Sequence, residues 1–234
     1  MPRNFCGILV SLTFTVTFSL GWSLAYAQPE SVAPGINKQY EAPDIASNVG
    51  RFEKEGRDVF DHRQAVLAAC QLKPGQAVAD VGAGTGLFTR LFSPLVGDQG
   101  HVYAVEIAEN FVKHIEKTAA EQGLKNVSGI VCDDKSTKLP AGSVDVVFTS
   151  DVYHHFEFPR QTLASIKQAL RPGGKLIVVD YQRIPGKSTD WMVKHVRAGK
   201  EVVIEEIKVA GFKFVEEQDC GLKESYFLRF EKLP

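Results

Sequence analysis

The residues with the clearest chemical potential form a glycine-rich segment, Val78-Ala79-Asp80-Val81-Gly82-Ala83-Gly84-Thr85-Gly86. The segment lies between an apolar run typical of a strand and a pattern typical of a helix. Glycine tolerates positive φ and lets a ligand approach the main chain closely. A helix that follows such a turn presents free N–H groups and a partial positive charge, which suit a carboxylate or a phosphate. We therefore expect a ligand site at Gly82, Gly84 and Gly86.

The spacing of these glycines disfavours a dinucleotide as the ligand. The dinucleotide fingerprint is G-x-G-x-x-G, whereas here Gly86 comes one residue early and Leu87 stands in the place of the third glycine. Asp80 precedes the loop, where its carboxylate would repel a pyrophosphate but suit a cationic amine, directly or through water. A nicotinamide-dependent oxidoreductase is therefore disfavoured.

The segment and its surroundings resemble the class I S-adenosylmethionine-dependent methyltransferases over roughly residues 52–230. The resemblance assigns Asp80 and the three glycines to the amino-acid end of the cofactor. It implies that Glu106, twenty residues after Gly86, binds both ribose hydroxyls and that Ile107 packs on the adenine face. Asp133 and Asp134 both match the acidic position that contacts the adenine amino group, and we favour Asp134.

The order of apolar and amphipathic segments predicts an α/β fold. Strands are expected at residues 77–81, 101–105, 127–131, 144–149, 175–179, 212–217 and 226–231, and helices at 51–71, 87–95, 108–122, 158–170 and within 190–209. Continuous apolar runs suit parallel strands that helices cover on both faces. With the resemblance, this order implies a Rossmann-like, seven-stranded, mostly parallel sheet with an antiparallel terminal strand.

Histidines after the fourth strand are candidates for chemistry at the methyl acceptor. The resemblance places the segment that contains His154 and His155 beside the methyl group of the cofactor. Either imidazole has the pKa range of a general base at neutral pH, although such residues also serve only to shape a pocket. Two adjacent histidines on a loop, even with Asp151 nearby, are poor evidence of a metal site, so no metal ligand is predicted.

A second polar group lies in the helical pattern that follows the fifth strand. His195 or Arg197 either recognises the acceptor or belongs to a solvated helix face together with Lys200, Glu201 and Glu205. Three residues near the start of residues 51–71 are expected to cover the cofactor as a lid: Phe52, Glu53 and Arg57.

The predicted function is S-adenosylmethionine-dependent methyl transfer to an unidentified, small-molecule acceptor. The alternative is a non-catalytic nucleoside-binding or interaction protein that keeps the fold, because the cofactor is made in the cytosol whereas the first residues predict export. A formal net charge of −1 provides no long-range attraction for nucleic acid, which we do not expect as a partner. The sequence predicts no oligomeric state.

Residues 1–27 have the pattern of a secretory signal peptide. Arg3 precedes an uncharged run that ends in Ala25-Tyr26-Ala27. The run is also long enough to be an uncleaved anchor, so we expect an exported (periplasmic or secreted) or membrane-anchored protein. Residues 28–50 are predicted to be a linker or arm, and residues 51–234 the methyltransferase domain. After cleavage an odd number of cysteines remains (Cys70, Cys132 and Cys220), which favours small buried residues over a disulfide scaffold.

Overall fold

The computed structural model describes residue 1 and residues 30–234, so the predicted signal or anchor segment lies outside the described residues except for Met1. A seven-stranded sheet has the order β3-β2-β1-β4-β5-β7-β6. Strands β1 to β5 are parallel, whereas β7 runs antiparallel to both β5 and β6. This topology confirms the expected fold class. The strands are β1 Ala77–Val81, β2 His101–Glu106, β3 Val127–Val131, β4 Val144–Ser150, β5 Leu170–Tyr181, β6 Phe212–Glu217 and β7 Ser225–Lys232.

Helices cover both faces of the sheet. Side chains alternate along each buried strand, so both faces present apolar residues that the helices bury. On β1, Ala77 and Ala79 pack in one apolar cluster with residues of the sixth and eighth helices, and Val78 packs in the opposite cluster with residues of the third and fourth. Strands buried on both faces therefore appear as continuous apolar runs in the sequence. The helices are α1 Ile45–Phe52, α2 Asp58–Asp61, α3 Arg63–Cys70, α4 Leu87–Val96, α5 Glu109–Glu121, α6 Pro159–Ala169, α7 Asp190–His195 and α8 Lys200–Val209.

The N-terminal part of the described chain differs from the prediction. The single helix expected at residues 51–71 is three helices, α1 to α3, and α1 begins inside the segment predicted to be an arm. Asp44 fixes that beginning, because its side chain accepts a hydrogen bond of 2.7 Å from the backbone N–H of Ser47. Gly56, at a φ of +86°, lies in the turn between α1 and α2.

Residues 30–43 lie against the domain rather than forming a loose arm. The hydroxyl of Ser31 and the backbone N–H of Gly35 both donate to the Glu157 carboxylate, at 2.8 and 3.2 Å. Asn110 of α5 donates to the carbonyl of Pro43 at 2.6 Å. These bonds hold the segment over the carboxyl ends of the strands.

Two further elements differ from the expected pattern. Residues 171–174, between the helix predicted at 158–170 and the strand predicted at 175–179, form a bulge within β5, since Leu170 pairs with Val144 and Lys175 with Val146. The helix expected within residues 190–209 is interrupted between α7 and α8. Among residues 30–234, no helix has both the length and the apolarity needed to cross a bilayer. The three cysteines in this part of the chain are free, and two of them, Cys70 and Cys220, are buried.

Candidate active site

A cavity of about 490 Å³ opens at the carboxyl ends of β1, β2 and β4. The chain order reverses here, because β1 lies between β2 on one side and β4 on the other. Open parallel sheets bind ligands at such a switch point, where the loops that follow neighbouring strands diverge. Residues 80–85 of the glycine-rich segment, the ends of β2 and β3 and the segment after β4 line this cavity. Gly86, which the sequence analysis expects at the site, does not line it and packs against Ile115.

The glycine-rich segment turns as the sequence predicts. Gly82 and Gly84 have φ values of +72° and +56°, which side-chain-bearing residues rarely adopt. A Cβ at position 82 would overlap the side chain of Val152, so the loop lies directly against the segment that follows β4. A Cβ at position 84 would meet only the Phe52 ring, at 3.5 Å. The main chain at Gly84 therefore borders open space in which a ligand can lie.

Glu106 at the end of β2 points toward the glycine turn. Its Oε2 accepts a bond of 3.0 Å from the Gly84 N–H, and its Oε1 accepts one of 2.8 Å from the Ile107 N–H. Burial raises the pKa of this carboxyl, and these backbone donors oppose the rise. Oε1 also accepts a longer bond of 3.4 Å from the Ala108 N–H, whereas Oε2 retains a lone pair for a further donor. The arrangement suits the two hydroxyls of a ribose.

Asp80 is a buried carboxylate at the end of β1 that also lines the cavity. Its Oδ2 accepts a hydrogen bond of 2.6 Å from the Thr89 hydroxyl on α4. Burial raises the pKa of Asp80 to about 7, against the bond from Thr89. A cationic amine in the cavity would favour the ionised form, because an opposite charge replaces the lost hydration.

Asp80→Asn should raise the stability of the ligand-free protein at alkaline pH while weakening ligand binding. The folded pKa of about 7 exceeds the ordinary value of 3.8, so stability from protonated Asp80 is complete below about pH 4 and is lost as pH rises through 7. Asparagine does not ionise and avoids that loss, which we expect to be worth about 4 °C or more in Tm at pH 8. Thermal melts at acidic and alkaline pH measure it.

The same variant should bind S-adenosylhomocysteine about tenfold more weakly than wild type above pH 7, where only wild type presents a carboxylate. The difference should shrink toward pH 5, as Asp80 becomes protonated. Calorimetric titrations of both proteins at matched pH provide the comparison. A constant affinity ratio across this range would contradict the assigned role of Asp80.

The two acidic residues after β3 have different surroundings. Asp133 closes its own turn, because Oδ1 accepts from the backbone N–H groups of Lys135 and Ser136 at 2.9 and 2.8 Å. Its Oδ2 pairs with Lys138 at 2.6 Å, and the side chain is exposed. Asp134 is half-buried, and both acidic residues line the cavity. The geometry favours Asp134 over Asp133 as the residue facing an adenine.

Three histidines meet at the other end of the cavity. His154 and His155 lie in a 3₁₀ turn after β4, and His195 ends α7. The Nδ1 of His154 lies 2.7 Å from Oδ1 of Asp180, and the Nε2 atoms of His155 and His195 are 3.3 Å apart. Folding thus joins residues that lie 40 positions apart in sequence.

Burial and charge give the three imidazoles different proton affinities. Burial acts to lower the pKa of His154, but the adjoining Asp180 carboxylate raises it above its ordinary value. Burial, then the neighbouring imidazoles of His154 and His195, lowers the pKa of His155 to about 3. Burial, followed by His154, also lowers the pKa of His195. The cluster therefore contains neutral imidazoles beside one that is held by a carboxylate.

The three residues expected to cover the cofactor make different contacts. Phe52 and Arg57 line the cavity. Arg57 pairs with Asp151 at 2.6 Å, which fastens the turn after α1 to the end of β4. Glu53 instead receives a bidentate pair from Arg90 at 2.7–2.8 Å and so fastens α1 to α4. These ion pairs hold the lid across the glycine turn.

The second polar group predicted from the sequence is divided by the break between α7 and α8. Only His195 reaches the cavity, whereas Arg197 pairs with Glu206 at 2.7 Å. Sequence analysis missed Asp180, the carboxylate partner of His154. Its signal was a carboxylate directly after the apolar run of β5, at the edge where ligands bind. The same analysis missed the aromatic wall that Tyr40, Tyr181 and Trp191 form around the histidines.

The comparisons with known proteins agree with this fold. Residues 79–178 match the family model described as a methyltransferase domain. The ubiquinone/menaquinone biosynthesis C-methyltransferase UbiE of Vibrio campbellii is 31% identical over 112 residues, which are 47% of this chain and 43% of that protein. The corresponding protein of Shewanella frigidimarina is 30% identical over 139 residues, or 59% and 54% of the two chains. The chain therefore spans about half the length of the curated relatives it matches.

Solved structures show the same architecture. A SAM-dependent methyltransferase from Aquifex aeolicus superposes with a TM-score of 0.72 at 24% identity, covering 82% of this chain and 100% of that one. Phosphoethanolamine N-methyltransferase 2 of Haemonchus contortus, in complex with S-adenosyl-L-methionine, gives a TM-score of 0.66 at 17% identity, with coverages of 86% and 59%. At these identities the likeness concerns the fold.

The fold is the Rossmann-like fold of the class I methyltransferases, with the glycine turn and the carboxylate at the end of β2 at one edge of the sheet. Residues 79–178 match the methyltransferase-domain model, and the cofactor of that domain family is S-adenosylmethionine. The residues present fit that cofactor, since an open glycine cradle, a buried carboxylate for its ammonium and Glu106 for its ribose line one cavity.

Proposed function

We propose that this protein transfers a methyl group from S-adenosylmethionine to a small planar acceptor that carries an ionisable hydroxyl. The observation that carries the proposal is one cavity with residues suited to a nucleoside at one end and three clustered histidines at the other. The matched UbiE relatives are named for C-methylation in quinone biosynthesis. An ionised hydroxyl on a ring activates both its oxygen and the adjacent ring carbons.

The roles of the chain follow from the positions of its charges. When bound, S-adenosylmethionine supplies a sulfonium-activated methyl group, and its reaction leaves S-adenosylhomocysteine while the acceptor loses a proton. Asp80 and Glu106 hold the cofactor by its ammonium and ribose. The three histidines face the acceptor and favour loss of its hydroxyl proton. Tyr40 and Phe52, from the segment that covers the cavity, exclude water from the reacting groups.

The size and walls of the acceptor end support a small planar molecule. Asn37 donates to the His155 carbonyl at 3.1 Å, and the Tyr40 ring meets the His155 ring edge-on at 5.4 Å. These contacts cover the cavity above His155, which favours a small acceptor. Tyr181 and Trp191 add aromatic surface to the same wall, which suits a flat ring.

Two measurements on the full chain test the proposal. Calorimetry should show binding of S-adenosylhomocysteine, and a panel of phenols should support formation of S-adenosylhomocysteine from S-adenosylmethionine. The matched control is the methyl ether of each active phenol, which lacks the ionisable hydroxyl and should support no reaction. Binding without turnover on any phenol would favour a non-catalytic nucleoside-binding protein. Absence of binding, with the fold verified by circular dichroism, would overturn the assignment.

We further propose, from the sequence pattern of residues 1–27, that the chain is exported or anchored to a membrane. The charged start, the apolar run and the Ala25-Tyr26-Ala27 end support this proposal. N-terminal sequencing of the protein isolated from its source cells should give Gln28 as the first residue after cleavage. Recovery of the intact N-terminus in the soluble cytosolic fraction would contradict it.

A further inference from the structure

The histidine cluster brings three imidazole rings together at the acceptor end of the cavity. One ligand nitrogen from each of His154, His155 and His195 lies within 4.8 Å of the other two. Two of the residues come from the turn after β4 and the third from α7, so the cluster joins separate elements of the fold. Imidazole is the commonest protein ligand of divalent transition metals.

Hydrogen bonds at the Nδ1 atoms determine the tautomer of two of these rings, those of His154 and His155. Nδ1 of His154 lies 2.7 Å from the buried Asp180 carboxylate, and Nδ1 of His155 lies 3.2 Å from the side-chain oxygen of Asn37. Both partners are acceptors, so both Nδ1 atoms carry a proton and leave Nε2 with a free lone pair. A ligating histidine that donates its other N–H to a carboxylate or carbonyl is the usual outer shell of a metal site.

The distance between His155 and His195 matches the geometry of a tetrahedral ion. Their Nε2 atoms are 3.3 Å apart, which is longer than an ordinary N–H hydrogen bond. Two imidazoles bound to one zinc ion at about 2.05 Å have nitrogens about 3.3 Å apart at the tetrahedral angle. Trp191 stacks on the His195 ring at 4.7 Å and an angle of 20°, which holds that ring in place.

We propose that His154, His155 and His195 bind a divalent metal ion of the zinc class at the acceptor end of the cavity. Three histidine ligands leave a fourth position open, as in catalytic rather than structural zinc sites. The Oδ1 of Asp151 lines the same cavity and is buried without a hydrogen-bond partner among the described residues. Such an oxygen is available to accept a bond from a water or hydroxyl bound at the open position.

The ion would also define the acceptor class more narrowly, and this step rests on the proposed function. A metal-bound hydroxyl is a much stronger acid than a free one. The acceptor hydroxyl would therefore lose its proton to solvent on binding, and its oxygen would keep the electron pair that attacks the methyl group. The acceptor class becomes a ring hydroxyl that is also a metal ligand, and a catechol is the chelating example.

Titration of the full chain with Co²⁺ after removal of bound metal tests the site directly. We expect visible absorption bands of tetrahedral Co²⁺ at one ion per chain, which Zn²⁺ should abolish by competition. His195→Ala should weaken Co²⁺ binding at least 100-fold. Asp180→Asn, which keeps all three ligands, should weaken it about 10- to 100-fold by removing the carboxylate behind His154. His114→Ala is the matched control, because His114 lies on α5 outside the cavity.

Binding of S-adenosylhomocysteine by the same variants separates this proposal from the proposed function. A variant that keeps this binding is folded, so its loss of Co²⁺ reports the metal site alone. Metal binding without nucleoside binding would support the site and contradict the proposed function. Nucleoside binding without tetrahedral Co²⁺ spectra, or Co²⁺ affinity unchanged in His195→Ala, would overturn the metal site and leave a hydrogen-bonded histidine pair.

Discussion

Glu106→Ala is expected to weaken the binding of S-adenosylhomocysteine by about 100-fold or more. The carboxylate is placed to accept bonds from both ribose hydroxyls, and a bond to a charged acceptor contributes at least about 1.5 kcal/mol. Two such bonds amount to about 3 kcal/mol, and each 1.4 kcal/mol is a factor of ten in Kd. The variant also frees the N–H groups of Gly84 and Ile107, which Glu106 holds at 3.0 and 2.8 Å. Isothermal calorimetry at pH 8 measures the loss.

Two variants make the result specific to the ribose contact. Glu106→Gln keeps one acceptor oxygen without the charge, so its affinity should fall between those of wild type and Glu106→Ala. Glu109→Ala removes an exposed carboxylate three residues further along the chain, which pairs only with Lys113 and should leave the affinity unchanged. A Kd for Glu106→Ala within threefold of wild type would contradict the proposed nucleoside pocket.

Glu106 could be identified from the sequence through the resemblance to the class I methyltransferases, which places an acidic residue at the end of the second strand. Because β1 and β2 are parallel neighbours, the carboxyl end of β2 lies beside the glycine turn that follows β1. Strands β1 and β3 have the predicted bounds, since each is a short apolar run between clear turn signals. The glycine turn, Glu106 and the acidic pair after β3 required no long-range information beyond the parallel order of the strands.

The acceptor end could not be assembled from the sequence, because it depends on where distant segments pack. His195 is the last residue of α7, whose direction is set by burial of Met192 and by the break before α8, neither of which has a periodic signal. Asp180 can act as the carboxylate partner of His154 only when β5 pairs with β4 and brings the two side chains together. The sequence predicts an arm over residues 30–43 because Pro, Ser and Asn give no periodicity, yet bonds to Glu157 anchor this segment to the domain.

Gly82→Ala is expected to lower the free energy of unfolding by about 2–5 kcal/mol. A φ of +72° costs a side-chain-bearing residue about 1–2 kcal/mol. The new methyl group would also overlap the side chain of Val152, and overpacking of this kind costs about 1–3 kcal/mol. Urea unfolding followed by circular dichroism measures the sum. Gly142→Ala is the matched control, because Gly142 has a similar φ of +61° and open space around it, so only the strain of about 1–2 kcal/mol remains.

The contact between Gly82 and Val152 also links the two ends of the cavity. Val152 directly precedes the turn that carries His154 and His155, so a displaced Val152 would move both imidazoles. Gly82→Ala should therefore lower acceptor turnover more than it lowers nucleoside affinity. The double variant Gly82→Ala/Val152→Ala, which removes the overlapping methyl groups, should recover part of both stability and turnover. If Gly82→Ala is no less stable than Gly142→Ala, then the glycine turn does not pack on the histidine segment, and the two halves of the site are not coupled through it.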